Sequence, residues 1–190
     1  MEALVQGFAQ SETNKPLVVF FEDEARFGRI SKESACWVKK AVVPTVAKQM
    51  IREYIYAYSA LSPQRGDCFS FISPLCNTDA MNSFLNQLAN NYNNYKILMI
   101  VDKAAWHVSH TVALPDNVKL MYLTPYSPEL NPVELLWREI RAKYFKNRIF
   151  DTLDAVEETL VTGLAAYYNN KEAVTNLSKG FCYFNKVVGG

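Results

Sequence analysis

LTPYSPELNPVELLWREIRAKY, from Leu123 to Tyr144, is the stretch on which the reading of the chain turns. It opens as the end of a strand, passes through a turn and enters a helix. Pro125, Pro128 and Pro132 fix φ at three places within eight residues. Such rigidity suits a side chain that must be held in one place, and the first helical turn carries Glu134. Two readings of Glu134 compete. Asn131, Pro132 and Glu134 fit a capping box as N-cap, N1 and N3, and Glu134 stands four residues before Arg138, the spacing of a surface ion pair. Glu134 also borders the apolar face of Val133, Leu136, Trp137 and Ile140, so it can point over a sheet edge. In that case Asn131 caps the helix alone.

Upstream, KILMIV (Lys96–Val101) reads as a strand buried on both faces, ending in Asp102. LVVFF (Leu17–Phe21) reads the same way and runs into Glu22, Asp23 and Glu24. Side chains alternate along a strand, so Glu22 and Glu24 share one face and Asp23 takes the other. Ile51–Ala60 and Cys68–Ile72 read as a hairpin closed by the Pro- and Gly-containing turn Ser62–Asp67. Tyr54, Tyr56 and Tyr58 alternate along its first strand. Val118–Leu123 is a fifth strand. Helices are expected from Asn77 or Thr78 to Tyr92, over Ala104–Ser109, from Pro132 to Phe145, and from Asp151 or Thr152 to Tyr168. Trp37–Val38 and Ala41–Val43 read as short strands without a placement, and the tail after Asn169 has no clear pattern. A meander followed by alternating strands and helices predicts a mixed α/β sheet with helices packed on it.

The 190 residues suffice for one domain, read as residues 16–190 after a frayed arm over 1–15. Apolar residues make up 49% and charged residues 21%, a globular balance. No apolar run approaches the roughly 18 residues of a membrane span, and the N-terminus lacks a secretory pattern. Cys36, Cys68, Cys76 and Cys182 lie far apart without a CxxC pair, which argues against zinc and disulfides and suits a reducing cytosol. Net charge is only +1. That is unlike a dedicated nucleic-acid binder, yet compatible with an enzyme whose acidic site offsets basic contacts.

Each acid has a plain alternative: Asp23 as a solvated strand end, Asp102 as a helix N-cap, Glu134 as above. Together they place two strand-end carboxylates and one helical carboxylate at one end of a sheet. Three carboxylates form a hard-oxygen site for Mg²⁺ or Mn²⁺. Two such ions, about 3.5–4 Å apart, can activate a water and stabilise the leaving oxygen of a phosphodiester.

At these residues the chain resembles the DDE transposases of the mariner superfamily, in their bacterial insertion-sequence branch. FFEDEARFG (Phe20–Gly28) is similar to the family's first-acid motif, IVDKAAWHVSH (Ile100–His110) to the second, and TPYSPELNPVELLWREIR (Thr124–Arg141) to the third. The resemblance implies a ribonuclease H-like fold: a mixed five-stranded sheet flanked by helices. It implies that Asp23, Asp102 and Glu134 are catalytic and hold two Mg²⁺ or Mn²⁺ ions, with His107 and Asn131 as accessory residues and no organic cofactor. It further implies DNA as partner, pairing of two DNA ends that would suit a homodimer, and a bacterial cytosolic, nucleoid-associated location without a membrane. Where the family has Asn after the second Asp, this chain has Lys103. The family's N-terminal recognition modules have no counterpart before Leu17, so the chain reads as a catalytic domain alone.

His107 reads either as an orienter of a carboxylate or phosphate, or as a structural neighbour of Trp106. Arg138, Arg141, Lys143, Lys146 and Arg148 crowd the Glu134 helix and its end. They either follow a DNA backbone or form an ordinary solvated face. Lys39, Lys40, Lys48 and Arg52 make a second, vaguer basic group. Three functions follow: a metal-dependent DNA-cleaving and strand-transferring enzyme, a related structure-selective nuclease, or an inactive or repurposed domain that keeps the fold.

Overall fold

The computed structural model describes residues 15–31, 35, 37–40, 43, 45–102, 112–123 and 128–184. The expected short helix at Ala104–Ser109, Lys103, His107, Pro125 and residues 1–14 lie outside them.

The five strands are β1 (Leu17–Ile30), β2 (Met50–Ser62), β3 (Asp67–Ser73), β4 (Lys96–Val101) and β5 (Val118–Tyr122). They form one sheet in the order β3-β2-β1-β4-β5. β2 runs antiparallel to both β1 and β3, while β1, β4 and β5 are mutually parallel. This is the mixed five-stranded sheet expected. The unbroken apolar runs form its centre: all six β4 residues are buried, as are Val18 to Phe21.

Helix α1 (Thr78–Asn91) covers one face and α2 (Val133–Ile140), α3 (Leu153–Tyr168) and α4 (Lys171–Leu177) cover the other. Under α1, Val18, Phe20 and Met99 meet Met81, Phe84 and Leu88. On the opposite face, Val19, Phe21 and Ile100 meet Leu136, Trp137, Ile140 and Leu160. The caps resolve the helix starts. Asn77 accepts from the amide of Ala80 and Thr152 from that of Ala155, each satisfying one orphan donor.

Three expectations are corrected. β1 does not end at the acids but continues to Ile30, because Ala25 and Phe27 keep burying alternate positions against α2 and β2 supplies a partner through Gly28 and, past an irregularity in the register, again at Ile30. Gly28 permits this pairing: a Cβ there would stand 2.2 Å from the carbonyl oxygen of Glu53. Trp37 and Val38 are exposed and form no strand. The tail after Asn169 does fold, into α4 capped by Asn170 and a 3₁₀ turn at Lys179–Phe184. The expected helix to Phe145 is present, with its last turn, Arg141–Phe145, widened to π geometry.

Candidate active site

The parallel register of β1 and β4 sets the site. Their last pair is Phe21 with Ile100, both on the α2 face. Two residues further, strand alternation would carry Asp23 and Asp102 toward one level on neighbouring strands about 4.8 Å apart; Asp102 stands just past the end of β4, and the two line one cavity. β4 ends there, whereas β1 continues. Beyond the acids, β1 therefore has a strand partner on its β2 side and none on the other among the described residues.

Helix α2 brings the third acid. Asn131 is buried, and its Nδ2 donates to the carbonyl oxygen of Glu22 at 2.8 Å. Its Oδ1 accepts from the amide of Val133 at 3.1 Å. One side chain thus caps the helix and ties its start to the residue preceding Asp23. The capping box differs from expectation, since the Asn131 oxygen takes the N–H of Val133 and the Glu134 carboxylate lies exposed. The surface ion pair of this helix is Lys143 with Glu139 at 2.8 Å; among the described residues Glu134 and Arg138 form none. One turn on, the indole Nε1 of buried Trp137 donates to Oδ2 of Asp23 at 2.9 Å. Burial and then the charge of Glu134 push the Asp23 carboxyl up to about 8; Glu24 and Asp102 add to the rise and the Trp137 N–H opposes it. Asp102 and Glu134 thus both act electrostatically on Asp23.

Two cavities meet the site. Asp23, Glu24, Arg26, Tyr56, Cys76 and Asp102 line a small one of about 360 Å³. A groove of about 1020 Å³ runs beside α2, with Glu134 on its wall, Phe27, Phe145 and Phe150 in its floor and Arg26, Arg138, Arg141, Lys146 and Arg148 around it. The Arg141 guanidinium lies 5.1 Å over the Phe27 ring, and burial lowers its pKa against the opposing pull of Glu134 and Asp23. Lys143 is different: bonded to Glu139 and to the Tyr167 hydroxyl, it lies outside the groove lining.

The donor set fits a hard divalent cation: oxygen ligands only, with burial and the neighbouring carboxylates already raising the Asp23 carboxyl. Among the described residues no three His, Cys, Asp or Glu side chains close around a single ion. A Mg²⁺-type site does not require that, because such an ion takes one or two carboxylates and leaves its other positions to water and phosphate.

The family described as DDE superfamily endonuclease matches residues 18–157. The chain belongs to this family. Uncharacterized protein y4pE/y4sA of Sinorhizobium fredii (strain NBRC 101917 / NGR234) is 36% identical over 117 residues, 61% of this chain and 84% of that protein. Among solved structures, the Mos1 strand transfer complex aligns over 98% of this chain and 58% of its own, with a TM-score of 0.64 at 15% identity. The Mos1 mariner paired end complex with Mn aligns over 100% and 60%, with a TM-score of 0.58 at 14% identity. This likeness establishes the ribonuclease H-like fold. The chain spans less than two thirds of the length of those Mos1 chains.

In this DDE domain the residues missed from sequence are Trp137, as the donor to Asp23, and Arg26. A buried indole N–H needs an acceptor, and this one lies on the Glu134 helix, so a signal for Trp137 was present. Arg26 had no comparable signal. No described helix is long and apolar enough to cross a membrane.

Proposed function

We propose that this chain is the catalytic domain of a DDE transposase of the mariner superfamily, in the bacterial insertion-sequence branch. It cleaves DNA phosphodiesters at transposon ends and transfers the freed strands into target DNA. One observation supports this reading: Asp23 and Asp102 line one cavity, and the cation-lined groove with Glu134 on its wall adjoins it through Arg26.

Asp23, Asp102 and Glu134 would hold Mg²⁺ or Mn²⁺, two ions as the family resemblance implies. Bound there, such a cation neutralises developing charge and lowers the pKa of the attacking water. The chain's own residues do the rest. Trp137 orients the Asp23 carboxylate and Asn131 fixes the start of the Glu134 helix. Arg138, Arg141, Lys146 and Arg148 hold the DNA backbone along the groove; Lys143, tied to Glu139, takes no part. In the first step water adds to phosphorus and the P–O3′ bond breaks, leaving a 3′-hydroxyl. In the second, that hydroxyl attacks a target phosphodiester, forming one P–O bond and releasing another 3′-hydroxyl. The unit acting is residues 16–190, working as a homodimer that pairs two DNA ends in the bacterial cytosol at the nucleoid.

The test is nicking of DNA carrying element ends in Mg²⁺ or Mn²⁺. Asp102→Ala and Glu134→Ala are expected to lose at least on the order of 100-fold in rate, since even outer-shell partners of a metal site are worth 10–100-fold. Parental activity in either variant would end the proposal. Lys103, which follows Asp102 in sequence where the family has Asn, favours a second reading, a domain that binds DNA without cutting it. A parent that binds DNA yet shows no Asp23-dependent Mn²⁺ binding in calorimetry would establish that one.

A further inference from the structure

Two arginines three residues apart on β1 have different fates. Arg29 is spent inside the fold: its Nε donates to the carbonyl oxygen of Phe150 at 2.9 Å and its guanidinium pairs with Glu53 at 2.8 Å. Arg26 is exposed, and among the described residues it has no ion-pair partner, although it lines a cavity with Asp23, Glu24 and Asp102. Its guanidinium lies 4.4 Å over the Tyr54 ring. A guanidinium that meets a ring with its flat face keeps its N–H edge for other acceptors, the edge that forks a phosphate. Arg26 also lines both cavities, the acidic one and the cation-lined groove. It can do so because β1 runs past the end of β4 and exposes an edge between the two.

We infer that Arg26 is a phosphate-binding residue, seating a DNA backbone phosphate at the junction between the carboxylates and the groove. This deepens the transposase reading and rests on it. A purely structural Arg26 would serve only as a diagonal cross-strand neighbour of Tyr54, opposite Tyr56 in register, worth a fraction of a kcal/mol in most sheets, and would leave DNA affinity unchanged.

The experiment is fluorescence anisotropy of a labelled DNA duplex titrated with the parent, Arg26→Ala and Arg26→Lys, at several salt concentrations between about 50 and 200 mM. Thermal melts run alongside confirm that the variants fold. The expected result is a log–log salt slope shallower by about 0.9 in Arg26→Ala and unchanged in Arg26→Lys. Arg26→Lys should still nick several-fold more slowly than the parent, because lysine lacks the planar fork and the stacking. A parental slope in Arg26→Ala overturns the inference while leaving the transposase reading intact. A parent that does not bind DNA overturns both. Nicking that survives Asp102→Ala, with the slope change in place, overturns the transposase reading and keeps Arg26 as a phosphate site.

Discussion

The acidic cavity and the basic groove are neighbours of opposite demand. The first gathers Asp23, Asp102 and Glu24 in about 360 Å³ and raises the carboxyl of Asp23. The second, nearly three times larger at about 1020 Å³, carries five cations and an aromatic floor. Carboxylates outnumber cations in the first, where Arg26 is the one basic residue lining it among the described residues, and cations outnumber carboxylates in the second, where Glu129 and Glu134 also stand. On the proposed function, a phosphodiester arriving with a divalent metal would suit both at once. The contrast explains how a chain of net charge +1 can belong to an endonuclease family. Its charges are sorted by place, and the average hides the sorting.

The acidic side breaks most readily at Trp137. Trp137→Phe keeps the ring packing but removes the N–H donated to Asp23. Mn²⁺ affinity, measured by calorimetry, should fall about 10–100-fold, as for other residues that orient a metal ligand. Next comes the tie between the two sides. Asn131→Ala removes the cap on Val133 and the bond to Glu22 together. Denaturant unfolding should show a loss of about 1–3 kcal/mol, and nicking should fall with it as the Glu134 helix loosens.

Acidity sharpens the comparison further. The folded Asp23 pKa is raised to about 8 from an ordinary 3.8. The stability due to its protonated form is therefore full below about pH 4 and is lost as pH rises through 8. The melting temperature in EDTA should fall across that window. Saturating Mg²⁺ should oppose the fall increasingly at higher pH, because it binds the ionised form. A metal-free melting curve indifferent to pH between 4 and 8 would remove the acidic side of the contrast. The smallest effect is expected at Lys143. Tied to Glu139 and Tyr167, it should leave the salt slope of DNA binding unchanged when replaced by Ala, whereas Arg148→Ala should make the slope shallower by about 0.9.

The sheet was legible because its central strands are continuous apolar runs and its helices carry caps. Asp102 was legible as a strand end for the same reason. Asp23 was misplaced to a strand end because a carboxylate triplet inside a strand looks like its termination. Only the partner strand β2 shows that Ala25 and Phe27 continue the buried alternation. The role of Asn131 was half legible: its cap follows from local spacing, while its bond to Glu22 spans 109 residues of chain. Lys143 and Arg148 look alike in sequence, but Lys143 is paired with Glu139 outside the groove, whereas Arg148 donates to the carbonyl oxygen of Tyr144 and lines the groove. Alternating Tyr54, Tyr56 and Tyr58 read as packing, which holds for fully buried Tyr58. Tyr54 instead carries Arg26 on its face.

The central claim is that Asp23, Asp102 and Glu134 together hold a divalent cation. The most direct test is a crystal soaked in Mn²⁺ and read by anomalous scattering. The account predicts density between Asp23 and Asp102, with the Glu134 carboxylate turned toward it. Absence of density there at saturating Mn²⁺, with Glu134 still directed into the groove, would contradict it.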